Sequence, residues 1–339
     1  MEASQHRTLD KMPDLVLEKI CEKLDFLAIR SARKSCRALR NYLDDRRFPV
    51  NLYAVTVVVK FFSIYLKIEE KETSEMIFIR YTYHPKGCVV KSATYGNPQM
   101  KRFPGVNFVD MFCADFQVNF IRQETCLGEL YFDFDGAQTE YPLFGRLPAI
   151  LNAGAQPIKV ESLRMRLRGS EDMHMVIPHI EIRRAPEYLK DIYLDRNVRQ
   201  REFFLSVEDT EQISQSNAWR AAHIETNIRL ESSASLVHFA HMYELDIAVL
   251  DMFADDLFLL KDLLLDTNLR LVRIAFDFFD DVDRFIDRLG PLMFDWNGGE
   301  KWYFEHQPRN ILYVELYEKN FAIGFTDEIE RWARISPMF

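Results

Sequence analysis

Residues 12–45 read MPDLVLEKICEKLDFLAIRSARKSCRALRNYLDD, and their spacing decides how the rest of the chain is understood. Pro13 stands where a helix starts without forfeiting a backbone hydrogen bond, and Asp14 sets a negative charge near the positive end of the helix dipole. Leu17, Ile20 and Leu24 follow at steps of three and four, while Glu18, Lys19, Glu22 and Lys23 take the other side. That spacing predicts an amphipathic helix. After a break at Asp25-Phe26 it returns in Ile29, Ala32, Cys36, Leu39 and Leu43, opposite Arg30, Arg33, Lys34, Arg37 and Arg40. A second amphipathic helix, or a pair of short ones, is implied. Roughly 35 residues of short helix bury too little surface to fold unaided, so part of the stripe must meet another surface.

These residues resemble an F-box. Met12-Pro13, Leu17, Ile20, Leu24, Cys36 and Leu39 fall where that module carries its Leu-Pro, its apolar positions and its Cys. The DLVLEKI, LDF, RKSCR, LRN and DD pieces are similar to the F-box of a large nematode family that joins this module to an FTH domain. Met12 replaces the usual Leu, Ser35 the usual Val and Ala32 a larger aliphatic, which trims apolar contact. The resemblance implies docking on a Skp-type adaptor and, through it, a cullin. Pro13, Leu15, Leu17, Ile20, Leu24, Cys36 and Leu39 are the adaptor-contact candidates. Periodicity does not settle which of them face the adaptor and which face the rest of the chain.

A chain of 339 residues, 48% hydrophobic, holds one large domain plus a small module. There is no Gly/Ser- or Pro-rich linker and no low-complexity tract, so the modules are expected to pack directly together. The opening MEASQHRTLD lacks the apolar run of a secretory signal, and Val55 to Phe62, broken by Lys60, is far too short to cross a bilayer. Five cysteines with no CxxC pair fit reduced thiols. The expectation is a cytoplasmic or nuclear protein with no membrane contact. Net charge is -9 and unevenly spread: residues 1–50 carry eleven Lys/Arg against eight Asp/Glu, residues 231–300 five against fifteen. Such a field disfavours direct nucleic-acid binding and would steer a basic partner.

Leu52 to Phe62 and Met76 to Tyr83 are rich in Val, Ile, Phe and Tyr and flank a polar IEEKETSE stretch, which predicts a hairpin. Val106 to Arg122 reads as a helix with Phe108, Phe112, Phe116 and Phe120 four apart on its core side, lying on the sheet that follows. From Leu127 an apolar-x-x-apolar-x-apolar pattern recurs: Leu127, Leu130, Phe132; Val160, Leu163, Met165; Leu189, Ile192, Leu194; Met242, Leu245, Ile247; and Leu269, Val272, Ile274. A poor copy runs through Ala221, Ile224 and Thr226, and a late one through Ile311, Val314 and Leu316. The spacing is that of one strand and one return helix per repeat, with Tyr141 to Leu151 and Ala254 to Leu265 leaving room for helices. Trp219 in NAWRAAHIE, His238-Phe239, Asp256-Leu257 and Leu260-Lys261 resemble FTH-domain landmarks in order. The expected fold is α+β, an N-terminal helical F-box followed by an irregular leucine-rich-repeat-like α/β solenoid. Its expected divisions are a tail 1–11, an F-box 12–48, a hairpin-containing connector 49–104 and an FTH-like solenoid 105–339.

Residues between the buried positions of the solenoid strands define an exposed face and hence a candidate target surface: Arg164, Arg166, Arg168, Tyr193, Asp195, Glu244, Asp246, Arg273 and Asp277. Chemistry is poorly represented. LYFDFDG ends a strand in Asp133-x-Asp135-Gly136, which resembles the first motif of haloacid-dehalogenase-like phosphatases, with Asp133 as nucleophile and Asp135 as general acid. Ala137 breaks that motif, and Asp133 reads better as a solvated strand position. His238-x-x-His241 with Glu244 and Asp246 lacks the further ligand a zinc site requires. Phosphate-cradling and hydrolase motifs are absent. The reading is a non-catalytic substrate receptor of a Skp/cullin/F-box ubiquitin ligase, with no cofactor and no metal. The alternative is a stand-alone binding or sequestering protein with a drifted F-box, and a phosphatase using Asp133 ranks third.

Overall fold

The computed structural model describes residues 12–46, 48, 52–71, 76–94, 97–121, 126–137, 141–154, 156–182, 191–196, 204–216, 219, 223–239, 244–266, 271–289, 293–294, 300–307, 310–317 and 320–326. The expected tail 1–11 lies outside them. The chain divides into two units, Met1–Leu163 with His179–Arg183, and Arg164–Pro178 with Arg184–Phe339.

The first unit begins with three short helices, α1 (Asp14–Cys21), α2 (Phe26–Ser35) and α3 (Arg37–Arg46), so the second amphipathic stretch is a pair. Pro13 precedes α1 and accepts the Val16 and Leu17 amides through its carbonyl. The Asp25 side chain caps α2 by accepting the Ala28 amide at 2.6 Å. Cys36, in extended conformation between α2 and α3, takes the Leu39 amide on its Sγ at 3.4 Å.

Five strands follow as an antiparallel meander: β1 (Leu52–Lys60), β2 (Ser63–Glu70), β3 (Met76–His84), β4 (Gly87–Thr94) and β5 (Asn97–Pro104). This corrects the hairpin expectation. β1 and β3 are not partners across a polar loop, because β2 lies between them and takes in the first three residues of IEEKETSE. Ile64, Leu66 and Ile68 point inward while Lys67 and Glu69 point outward, so strand alternation hides behind the charges. At the β3–β4 turn Gly87 holds φ +141°, a conformation open to glycine alone at little cost.

The Phe-rich segment forms α4 (Phe108–Phe116) and a π-helical turn over Gln117–Ile121, with the Asn107 side chain capping the start. Four residues overshoot a 3.6-residue turn by about 40°, so three such steps would carry Phe120 about 120° from Phe108. The wider π turn takes back part of that drift, and Phe108, Phe112, Phe116 and Phe120 are all buried. The helix covers the preceding meander as well as the following strand, a second correction. Phe112 meets Tyr81 of β3 edge-on at 5.7 Å, and Phe116 lies 6.4 Å from Phe132 of β6 (Leu127–Gly136). Both contacts form because β1 pairs with β2 on one side and, in parallel, with β6 on the other. After β6 the chain continues through α5 (Leu147–Leu151) into β7 (Ile158–Leu167), whose first residues pair in parallel with β8 (Ile180–Ile182).

In the second unit α6 (Ser170–Val176) precedes a run of parallel strands. β9 (Asp191–Arg196) and the short β10 (Phe204–Leu205) both pair with β11 (His223–Ser232), which pairs with β12 (Glu244–Phe253), which pairs with β13 (Leu271–Asp280). The returns are α7 (Val207–Ser214), a 3-10 segment at Ser233–Phe239 and α8 (Ala254–Asp266); α9 (Val282–Leu289) follows β13. The expected strands of the middle copies and both expected helical segments are present. The late copy behaves differently: Ile311, Val314 and Leu316 lie on β16 (Asn310–Tyr317), inside an antiparallel set. There β13 pairs with β17 (Asn320–Thr326), β17 with β16, β16 with β15 (Glu300–Gln307) and β15 with β14 (Met293–Phe294). The cause is the connection: two residues join β16 to β17, which allows a hairpin and no parallel crossover.

Candidate functional site

The helical module has its own filled centre. Leu17, Cys21, Leu39 and Leu43 are buried together, with Met12, Leu24, Ile29, Ala32 and Cys36 packed around them. Arg33 and Asp44 join α2 to α3 through a forked ion pair, 2.5 Å and 3.1 Å. The Tyr42 hydroxyl donates to the Asp14 carbonyl at 3.0 Å and joins α3 to α1. The module is also anchored to the meander. The Phe26 amide at the start of α2 donates to the buried Glu70 carboxylate at 2.5 Å, and the Phe26 ring stacks on Phe120 at 6.2 Å.

Against this frame the seven adaptor-contact candidates separate. Leu17 and Leu39 are 4% and 6% exposed and form the module's interior. Cys36 caps α3 and packs beside them. Ile20 is half-buried, and so is Leu24, which lies against the module's centre. Pro13 is exposed and Leu15 is 68% exposed, next to Val16 at 44%. Val16 was not among the candidates, although it stands four residues before Ile20. Four consecutive exposed residues, Pro13 to Val16, of which only Asp14 is charged, lead into a helix whose core-facing positions are already satisfied.

The target-face candidates lie on several strands. On β7, Leu163, Met165 and Leu167 are buried, Arg164 is exposed and Arg166 half-buried. Arg168 does not continue the stripe. It stands past the strand end, where its amide (2.8 Å) and Nε (3.1 Å) donate to Oδ2 of the fully buried Asp172 and its Nη2 to Oδ1. Farther on, the register aligns Tyr193, Glu225, Asp246 and Arg273 in one row across β9, β11, β12 and β13. Glu225 was missed by the sequence reading, although the poor repeat copy around Ile224 marks its strand. Glu244 is opposite Leu271, and Arg273 is exposed with Asp277 half-buried. The side chains of Tyr193, Asp195, Glu244 and Asp246 lie outside the described residues.

The motifs set against this reading find structural roles. Asp133 is buried at 7% exposure, not solvated as expected, on a strand flanked by the meander and not in a doubly wound parallel sheet. Gly136 sits against β1 so closely that a Cβ would meet Lys60 and, at 3.2 Å, the Val59 carbonyl. The Asp135 side chain lies outside the described residues, as does His241. His238 places Nδ1 3.3 Å from the Ser214 hydroxyl, and its carbonyl accepts the Trp219 indole N–H at 3.1 Å. The Trp219 ring meets Phe239 at 5.1 Å, both 1% exposed. Ser233 donates to Asp256 at 2.5 Å and accepts the Phe253 amide at 3.0 Å, which fixes the start of α8. Asp209 caps α7 with Ser206 and bonds His174 at 3.1 Å; burial raises its pKa, but those hydrogen bonds outweigh it and hold the carboxyl below its usual value. Among the described residues no helix is long and apolar enough to cross a membrane.

An F-box domain is found over residues 9–51 and an FTH domain over residues 143–288. The first spans α1 to α3, and the second runs from before α5 to α9. No curated protein and no solved structure matches the chain.

Proposed function

We propose that the chain is the substrate-receiving subunit of a Skp/cullin/F-box ubiquitin ligase, with α1 docking on a Skp-type adaptor and the C-terminal unit holding a target protein. The F-box match implies a Skp1-type adaptor and, through it, a cullin. The observation that carries the reading is the exposed Pro13, Leu15 and Val16 on a module whose interior is filled without them. Exposed apolar residues on an otherwise closed module are what a partner would cover. F-box proteins are in general non-catalytic receptors, and the receptor's physical contribution is to raise the effective concentration of a target lysine beside the charged conjugating enzyme.

The parallel run β9, β11, β12 and β13 with its helical returns supports reading the C-terminal unit as a short leucine-rich-repeat-like arm, with the row Tyr193, Glu225, Asp246 and Arg273, together with Arg164, Arg166, Asp195, Glu244 and Asp277, as its target face. The acidic character of residues 231–300 favours a basic target. The sequestering alternative draws on Ser35, which turns its hydroxyl onto the Ala32 carbonyl at 2.7 Å and leaves α2 without the aliphatic side chain usual there. Recovery of the full chain from cells with its bound proteins, with and without proteasome inhibition, separates the two. Adaptor and cullin in the recovered complex, with a bound target whose level rises on inhibition, supports the receptor. A bound target whose level ignores the proteasome supports sequestration.

A further inference from the structure

The meander between the two matched domains carries a surface that neither match assigns. Its register sets two neighbouring rows on the open face across all five strands: Val58, Tyr65, Arg80, Lys91, Met100, and Thr56, Lys67, Phe78, Ala93, Pro98. Between them is an apolar cavity of about 280 Å³, lined by residues of both rows with Ala93 the smallest side chain among them. That is below the usual range for a small-molecule site and suits one side chain or two. Phe78 and Met100 are 49% and 59% exposed, and Arg80 and Lys91 are exposed as well.

Arg80 and Lys91 are direct cross-strand neighbours on this face. Like charges in that position cost stability. Among the described residues neither has a carboxylate partner, whereas nearby Lys67 is paired with Glu69. The aromatic rings beside them are already faced by cations, Tyr65 by the Arg80 guanidinium at 4.8 Å and Phe78 by the Lys67 ammonium at 5.9 Å.

We infer that this face binds an acidic, extended peptide segment of a partner protein, seating one apolar side chain in the cavity over Ala93 and placing carboxylates on Arg80 and Lys91. Two adjacent cations with no acid beside them among the described residues call for anionic groups at that spacing. The rings favour a peptide over a nucleic acid, since the faces that would stack bases are occupied by cations. The site is independent of adaptor docking.

The test uses the full chain and a panel of fluorescein-labelled nine-residue peptides, each with one central apolar residue between Glu and Asp flanks, read by anisotropy. At least one member is expected to bind, with affinity falling as salt rises. Arg80→Glu with Lys91→Glu should weaken it at least about tenfold. Ala93→Leu, which fills the cavity and leaves the charge alone, should weaken it comparably. Lys91→Glu alone should raise Tm while lowering affinity, since it removes a repulsion that only a ligand relieves. The proposal fails if no peptide of the panel binds the native chain, if binding survives the double charge reversal in a variant whose circular dichroism is native, or if an oligothymidylate of equal charge binds as well as the best peptide.

Discussion

Arg168 shows how far a residue's role depends on where its strand stops. In sequence it completes an alternation with Arg164 and Arg166, and nothing local distinguishes the three. β7 ends at Leu167, so Arg168 turns to the Asp172 carboxylate four residues on, which has no solvent exposure. Removing one partner of a buried ion pair leaves the other uncompensated, and Asp172→Ala should cost about 3–5 kcal/mol in urea unfolding. A cost near zero would place Arg168 in solvent, back on the stripe. Glu70 is the converse case: it reads as part of a polar loop, yet it is buried against the Phe26 amide. Its partner is 44 residues away, a separation at which no local pattern gives warning. The inward alternation of Leu17 and Leu39, by contrast, was legible as periodicity, while their assignment to the module's interior required the packing of three helices.

The aromatic helix is the element whose sequence signal was strongest and whose consequence reaches farthest. Phenylalanine at every fourth position predicts a core stripe, and all four rings are buried. The π turn that keeps Phe120 on the stripe has no such signature, and neither does the choice of sheet it covers. Phe120 touches Phe116 at 5.2 Å and Phe26 of the F-box at 6.2 Å, so the stripe also supports α2. Phe120→Ala should cost about 3–5 kcal/mol and speed amide exchange in α2 more than in β15 and β16. Uniform acceleration would mean that α2 is not held through this contact. The meander was half legible for a related reason: β1 and β3 advertise themselves by composition, whereas β2 carries Lys67 and Glu69 on the open face and its last three residues read as part of a polar stretch.

At the scale of the molecule, buried hydroxyls set an alkaline limit on the first unit. Tyr81 is held well above the ordinary value of 10.0 by burial first and then by Asp115, whose carboxylate accepts its hydroxyl at 2.7 Å; burial also raises Tyr141. A group that keeps its proton more tightly when folded contributes stability that is intact below its unfolded pKa and lost as pH rises beyond it. Stability of the first unit should therefore hold up to pH about 10 and fall above it, with a smaller fall in Tyr81→Phe. Asp209 works in the other direction in the second unit, its contribution present above about pH 4 and lost as acid protonates it. The parallel run of the second unit was visible as recurring apolar triplets, of which Ile247 on β12 and Val272 and Ile274 on β13 are buried. The antiparallel end was not, because β16 carries the same triplet and only its two-residue connection reverses it.

In the proposed docking, Pro13 and the first turn of α1, with Leu15 and Val16, meet a Skp-type adaptor while Leu17 holds the module together. The most direct measurement is the affinity of the purified full chain for a purified Skp-type adaptor by titration calorimetry, with Leu15→Asp, Leu17→Ala and the native chain compared after Tm determination. Leu15→Asp should keep the native Tm and weaken adaptor binding at least about a hundredfold, about 2.7 kcal/mol. Leu17→Ala should lower stability by about 2–5 kcal/mol. Undiminished binding by a folded Leu15→Asp chain, or no binding by the native chain, would overturn docking through this surface.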